Sequence, residues 1–256
     1  MKRLPIALQL YSVREDCQKD FPGVLKAVKN MGYDGVELAG FNGLNISEIN
    51  AITKDLNLKI ISAHVDRAEL IKDPLRSAEI YEALGCEYVA YPWSGLEELP
   101  GGEKYPEFLE STKKIARSLK VRGINLLYHN HDHELKLHEG QTLLDNLLFD
   151  LGPETIKLEL DLCWCKVGGF EPSQFLRDHK GKVPLVHFKD YTGSREEKNF
   201  AFAPLGAGCQ DIGELFVASV ECGAEWIIVE HDEPPSGMTA MECAKRSINA
   251  LFELQK

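Results

Sequence analysis

The sequence predicts an α/β protein with one (β/α)8 TIM barrel over residues 1–256, and three observations lead to this prediction. First, a chain of 256 residues has the usual length of one such barrel. Second, short apolar runs alternate eight times with helix-like stretches, and 256/8 gives about 32 residues per unit, the length a βα unit requires. Third, the apolar runs lack strict alternation, as expected for parallel strands buried on both faces. A doubly wound open sheet is the alternative, but no glycine-rich dinucleotide fingerprint follows the first run.

Eight strands are predicted from the short apolar runs. They share β-branched and aromatic residues and are bounded by polar residues, glycine or proline. The predicted strands are PIALQL (5–10), GVEL (35–38), KIISAH (59–64), EYVAYP (87–92), INLLYH (124–129), TIKLEL (155–160), PLVHF (184–188) and WIIVE (226–230).

A helix is predicted after each strand, and several carry clear start and stop signals. In the first, Asp20 can cap the helix, Pro22 lies in its first turn and Gly32 ends it. The pair Asp73-Pro74 begins the third helix in the same way. The predicted helices cover 20–32, a stretch opening at Ser47, 73–85, 106–119, 142–151, 171–179, 211–223 and a last stretch ending near Leu254.

Composition and charge exclude several classes of protein. The 29 Lys and Arg against 40 Asp and Glu give a net charge of −11, which argues against DNA as the main partner. No run approaches the ~20 apolar residues needed to cross a membrane, and the N-terminal MKRLPIALQL is expected to form the first strand, not a signal peptide. Seven cysteines without a CxxC pair favour reduced core cysteines and a cytoplasmic location.

Polar residues collect where each predicted strand ends, which is where a barrel of this kind has its active site. Buried carboxylates that converge there would repel one another unless a cation lies among them. Mixed carboxylate and imidazole ligands suit one divalent ion such as Mn²⁺, Mg²⁺, Co²⁺ or Zn²⁺. The polar residues at the strand ends, in order from strand one to strand eight, are Gln9, Tyr11, Arg14; Glu37; His64, Asp66; Tyr91, Trp93; His129, Asn130, His131, His133, Glu134; Glu159, Asp161; His187, Lys189, Asp190; and Glu230, His231, Asp232.

Several sequence motifs carry a resemblance to a known family. In chain order they are LQLYSVRED, GYDGVEL, LYHNHDHE, LELDLCW, LVHFKD, PLGAG and IIVEHDE, and they extend over essentially the whole chain. This set resembles the sugar phosphate isomerase/epimerase superfamily, the xylose-isomerase-like TIM barrels. Its members include ketose 3-epimerases, inosose dehydratases, hydroxypyruvate isomerases and enzymes acting on 3-keto sugars, so the resemblance does not define one substrate.

The resemblance implies one divalent metal held by Glu, Asp, His and Glu from strands five to eight. In this chain these ligands become Glu134, Asp161, His187 and Glu230. At strand five the chain departs from the ketose epimerases, which have a glutamate within the strand where this chain has Tyr128. Members with an H-x-H-x-x-E pattern resemble this chain, so Glu134 is the expected ligand, with His129 or His131 as the alternative.

The expected reaction is removal of a proton beside a sugar carbonyl, through an enediolate. A divalent ion can bind the carbonyl and the neighbouring hydroxyl together, and a carboxylate or histidine can act as the base. Catalytic candidates are Glu134 and Glu230 as base, with His129, His131 and Lys189 for proton transfer or oxygen binding. Candidates for substrate binding are Gln9, Glu37, His64, Trp93 and Lys189. Gly206 and Gly208 of PLGAG are expected to shape a turn, with a phosphate-binding loop as the alternative.

Two other functions remain open alongside a metal-dependent sugar isomerase, epimerase or lyase. An AP endonuclease of the endonuclease IV type would need more histidines in the first four strands, where His64 stands alone, and a basic DNA-binding face. A non-catalytic sugar-binding barrel would have lost metal ligands, whereas all four candidates are present. The expected partner is a small sugar, sugar phosphate or polyol, with Lys189 or Arg14 able to hold a phosphate. Nucleic acid and membrane partners are not expected, and a homo-oligomer stays possible.

Overall fold

Eight parallel strands close into a barrel in the computed structural model, which describes residues 3–255. Each strand pairs with its neighbours in chain order, and the eighth pairs with the first, so the predicted (β/α)8 barrel is confirmed. The observed strand ends differ from the predicted ones by at most two residues. The strands are β1 (Ile6–Gln9), β2 (Gly35–Leu38), β3 (Lys59–His64), β4 (Tyr88–Tyr91), β5 (Asn125–His129), β6 (Lys157–Asp161), β7 (Leu185–Phe188) and β8 (Trp226–Val229).

Eight main helices follow these strands and pack around the barrel. Their apolar sides bury against the outer faces of the strands in one large core cluster. Capping boxes at Asn45 and Thr239 begin the second and the last of them. The helices are α1 (Arg14–Met31), α2 (Ile46–Asp55), α3 (Pro74–Ala83), α4 (Tyr105–Val121), α5 (Leu143–Leu151), α6 (Pro172–Asp178), α7 (Ile212–Cys222) and α8 (Ala240–Leu254).

Helix α1 begins earlier than the sequence indicates. It starts at Arg14, and Asp20 lies at a kink inside it, with φ −155° and ψ 80°. The Asp20 carboxylate accepts a 2.9 Å hydrogen bond from the Gly23 amide, as a helix cap does. The predicted cap therefore exists, but six further helical residues (14–19) precede it.

Short elements between the strands and the main helices shape the C-terminal mouth of the barrel. One of them, the helix Leu162–Val167, follows β6 directly and was not predicted. The others are the helix Arg67–Leu70, the 3-10 helices Leu10–Val13, Leu96–Glu98 and His133–Leu135, and the hairpins formed by Leu137–His138 with Gln141–Thr142 and by Asp190–Thr192 with Ala201–Ala203.

The barrel interior is apolar at one end and polar at the other. A separate apolar cluster includes Tyr88, Leu185 and Trp226, the first residues of their strands, so it fills the N-terminal end. Polar side chains occupy the other end, where strands terminate. All seven cysteines are free, and Cys209 alone among them is exposed. Among residues 3–255, no helix is long and apolar enough to span a membrane.

Candidate metal centre

Four side chains from four neighbouring strands meet at the C-terminal mouth of the barrel. They are His129, Asp161, His187 and Glu230, all buried, and their potential ligand atoms lie within 4.8 Å of one another. His129 and Asp161 end β5 and β6, His187 lies in β7, and Glu230 directly follows β8. Parallel pairing of these strands places the ends at one level, with Asp161 opposite His187. The barrel therefore assembles two carboxylates and two imidazoles from distant parts of the sequence.

His187 lies at the centre of this arrangement, with a carboxylate at each ring nitrogen. Its Nδ1 is 2.9 Å from Glu230 Oε2, and its Nε2 is 2.8 Å from Glu37 Oε2. Burial lowers the pKa of His187, but Glu159, Glu37 and Glu230 together raise it well above the ordinary value. The protonated ring, an imidazolium, supplies positive charge between these carboxylates. When Nδ1 gives up its proton to bind a metal ion, the remaining Nε2–H can still donate to Glu37. This bond would hold the ring with Nδ1 toward Glu230.

Lys189 supplies a second buried positive charge. Its ammonium lies 3.1 Å from Asp161 Oδ2 and 2.9 Å from both Glu230 Oε2 and Asp232 Oδ1. Burial lowers the pKa of Lys189, but these carboxylates hold it well above the ordinary value. Burial raises the pKa of Glu230, but Lys189 and His187 hold it well below its usual range. The carboxylates are thus compensated by two cationic side chains.

The donor set fits a divalent cation. Asp161 Oδ1 accepts the Trp164 amide at 2.8 Å, while its buried Oδ2 has no hydrogen bond among the described residues and faces Lys189. Burial lowers the pKa of His129 to about 3, so its imidazole is neutral and offers a lone pair. Nitrogen and oxygen donors without thiolate suit Mn²⁺, Co²⁺ or Zn²⁺, with Mg²⁺ less favoured by the imidazoles.

Glu134, the strand-five ligand expected from the sequence, is not among the residues that the structure brings together. Its side chain is buried, but Oε1 accepts a 2.9 Å hydrogen bond from the Tyr128 hydroxyl and Oε2 accepts one from the His131 amide at 2.8 Å. Burial also raises the pKa of Glu134. These bonds fix the loop after β5, and His129 occupies the strand-five position in the group.

Paired variants at strand five identify the ligand. We expect His129→Ala to lower metal affinity by at least ~tenfold, since a direct ligand matters more than an outer-shell partner, whose loss costs ~10–100-fold. Glu134→Gln keeps the side-chain volume and should retain full metal content, as measured by equilibrium dialysis and elemental analysis. Loss of metal from Glu134→Gln, with normal content in His129→Ala, would restore Glu134 as the ligand.

A deeper polar group lies beneath the candidate ligands. Glu37 accepts hydrogen bonds from Gln9 Nε2 at 2.7 Å and from the Ser62 hydroxyl at 2.6 Å. His64 Nε2 lies 2.6 Å from Glu159 Oε2, and His64 and Glu159 form a second group of possible ligands with His129 and His187. Gln9 and Glu37 are fully buried and bond to each other, so the structure gives them an orienting position beneath His187.

A cavity of about 800 Å³ opens above the candidate centre. Six of the residues predicted to act on or bind substrate line it, namely His64, Trp93, His129, His131, Lys189 and Glu230. Burial lowers the pKa of His131 to about 2, so this imidazole is neutral. Gln9, Glu37 and Glu134 do not line the cavity. A volume of ~300–1,000 Å³ is usual for small-molecule sites.

The PLGAG turn closes around a side chain of the protein itself. Asp190 Oδ2 accepts the amides of Gly206 at 3.0 Å and Gly208 at 2.9 Å, and Oδ1 accepts the Gln210 amide at 3.2 Å. A Cβ on Gly208 would lie 2.1 Å from Asp190 Oδ1, which explains glycine there. The turn interpretation is therefore supported, because a carboxylate already uses the amides that a phosphate would need.

Two residues of the site received no role from the sequence. Glu159 points to the same side of β6 as Asp161, and the two-residue repeat of a strand is a signal that would have found it. Asp232 was only one of the polar residues noted at the end of strand eight, yet it pairs with Lys189 and lines the cavity. The sequence gives no signal for the contact between Asp232 and Lys189, because the two residues follow different strands.

The fold and the site define a (β/α)8 barrel with a carboxylate and imidazole cluster at the C-terminal strand ends. The family model described as xylose isomerase-like TIM barrel matches residues 25–252, and the chain belongs to this family. The resemblance indicated by the sequence motifs is thus confirmed. No curated protein sequence matched the chain.

Solved structures with the same fold carry several different names. A sugar phosphate isomerase/epimerase from Parabacteroides distasonis is 22% identical with a TM-score of 0.84, and 98% of each chain is covered. An L-ribulose 3-epimerase is 15% identical with a TM-score of 0.72, covering 98% of this chain and 94% of the other. An AP endonuclease, family 2, from Brucella melitensis is 17% identical with a TM-score of 0.72, covering 94% and 96%. At these identities the likeness shows the fold alone.

Proposed function

We propose that this protein is a divalent-metal-dependent isomerase, epimerase or lyase that removes a proton beside the carbonyl of a sugar or polyol derivative. The observation that carries the proposal is the buried group of His129, Asp161, His187 and Glu230 at the floor of an open cavity. The sugar phosphate isomerase/epimerase and L-ribulose 3-epimerase among the structural neighbours support this class of reaction.

The residues of the centre have complementary roles in this proposal. His129, Asp161, His187 and Glu230 would hold one divalent ion, which when bound supplies a Lewis acid for a carbonyl and its neighbouring hydroxyl. Lys189 is protonated, so it donates hydrogen bonds to a substrate oxygen on which negative charge develops. His131 is neutral and Glu230 ionised, and each has a lone pair with which to accept a proton at the cavity wall.

The electrostatics of the centre disfavour a nuclease. A net charge of −11 and an acidic cavity lining disfavour the binding of DNA phosphates. His64 is close enough to share a second group with Glu159, but this carboxylate is fully buried beneath the mouth.

Proton exchange in D₂O tests the proposed reaction. The Mn²⁺-loaded protein should incorporate deuterium into at least one member of a panel of ketoses, inososes and keto-glycosides, at the carbon next to the carbonyl, followed by NMR and mass spectrometry. Chelator-treated protein and Asp161→Asn serve as controls and should not exchange. Cleavage of abasic DNA without sugar exchange would contradict the proposal.

A further inference from the structure

The cavity above the centre has two chemically different walls. Its polar wall comes from β5, β7 and β8 and carries His129, His131, Lys189 and Glu230. Its more apolar wall comes from the end of β2 and the segments after β2, β3 and β4, on the opposite arc of the closed barrel, although His64, Asp66 and Glu69 also lie on this arc. That wall is formed by Leu38, Ala39, Phe41, Val65, Tyr81, Pro92 and Trp93. Both sets of side chains line one cavity of about 800 Å³.

Aromatic side chains at the apolar wall are unusually available. Trp93 is 59% exposed and Tyr11, at the same cavity, is 45% exposed. The ring of Phe41, which also lines the cavity, lies 6.2 Å from the buried ring of Tyr81. Exposed aromatic surface in a concave site marks ligand contact, because leaving it in water is unfavourable. A free monosaccharide bound at the polar wall would leave this surface uncovered.

The charges around the cavity do not suit a phosphate. The acidic side chains that line it are Asp66, Glu69, Glu230 and Asp232, while Lys189 is its only lysine and no arginine lines it within residues 3–255. Three carboxylates already surround the Lys189 ammonium. A phosphate dianion would therefore meet net negative charge, which disfavours binding.

Two other groups able to bind phosphate are engaged elsewhere. The Arg14 guanidinium donates to the carbonyl oxygens of Tyr11 at 3.1 Å and Asp232 at 2.6 Å. The amides of the PLGAG turn donate to the Asp190 carboxylate. The amides of the turn are thus taken by Asp190, and Arg14 does not line the cavity.

We infer that the substrate is an uncharged keto-glycoside, whose reacting sugar ring carries the carbonyl and whose second ring is apolar, rather than a free or phosphorylated monosaccharide. This inference rests on the proposed function for its assignment of the reacting sugar to the polar wall. The second ring lies against Phe41 and Trp93. A ligand of two rings covers both walls, and a neutral one avoids repulsion by the acidic lining.

Calorimetric titration of the Mn²⁺-loaded protein tests this substrate class. The probes are para-nitrophenyl glycosides of glucose, galactose, mannose and xylose, the four parent sugars, and glucose 6-phosphate. At least one aryl glycoside should bind at least ~tenfold tighter than its parent sugar, and also tighter than glucose 6-phosphate by at least ~tenfold. The reason is that burial of an aromatic ring against aromatic side chains raises the affinity by this factor or more. Tighter binding of glucose 6-phosphate, or no preference for any aryl glycoside, would overturn the inference.

A matched pair of variants locates the second ring. Trp93→Ala should weaken the preferred aryl glycoside about tenfold and leave the parent sugar unchanged, because only the second ring contacts Trp93. Leu96→Ala is the control, since Leu96 is 49% exposed and close in sequence but does not line the cavity. Equal effects of the two variants would place the ring elsewhere and overturn the assignment.

The proposed reaction and the proposed substrate class can be rejected independently of each other. Deuterium exchange with preferential binding of a phosphorylated monosaccharide would keep the proposed reaction and reject the glycoside. Aryl glycoside binding that depends on Trp93, without metal binding or exchange, would keep the ligand class and reject the reaction.

Discussion

Asp161→Asn is expected to remove the metal from the purified protein, lowering its content from about one ion per chain by at least ~tenfold. Asn keeps the side-chain volume and still accepts the Trp164 amide bond that caps the helix Leu162–Val167. What it removes is one carboxylate charge in the buried group, where the Coulomb energy between ligand and ion is little screened. Elemental analysis after equilibrium dialysis measures the loss, and His187→Ala should give the same result.

The control for this variant is the same substitution at another helix cap. Asp211 accepts the Glu214 amide at the start of α7 and is exposed, so Asp211→Asn changes a cap without approaching the centre. It should retain full metal content. Full metal content in both Asp161→Asn and His187→Ala would reject the proposed centre.

The barrel was predictable because its signals are local. Each strand is a run of apolar residues buried on both sides, and each helix carries its own caps, as Asn45 and Thr239 do. The convergence of Asp161 and His187 also followed, since parallel strand ends meet at one edge and pairing sets these residues opposite each other. Neither conclusion needs any knowledge of side-chain direction.

The position of Glu134 depends on contacts that no local pattern specifies. Two bonds, from the Tyr128 hydroxyl and the His131 amide, hold its carboxylate within the loop after β5. The motif alone does not distinguish this arrangement from one in which the carboxylate approaches the metal. The pairing of Lys189 with Asp232 is equally non-local, because it joins the segments after β7 and β8.

Lys189→Met should produce the largest change in stability, and this change should depend on metal. The substitution leaves Asp161, Glu230 and Asp232 without the ammonium that lies within 3.1 Å of each. Removal of one partner from a buried ion pair costs ~3–5 kcal/mol. The metal-free variant should therefore unfold at lower denaturant concentration than the metal-free wild type, with the free energy of unfolding reduced by about that amount.

Saturating Mn²⁺ should recover much of this loss, since an ion among the same carboxylates replaces the missing positive charge. The stabilisation by Mn²⁺ should then be larger in Lys189→Met than in the wild type, by ~2 kcal/mol or more, because ion binding adds stability to the folded state alone. Lys166→Met is the control, since Lys166 pairs with Glu171 at the surface, where an ion pair contributes ~0–1 kcal/mol. Equal stabilisation by Mn²⁺ in the wild type and in Lys189→Met would show that the lysine and the ion do not share these carboxylates, and the ion would then have to bind away from Asp161 and Glu230.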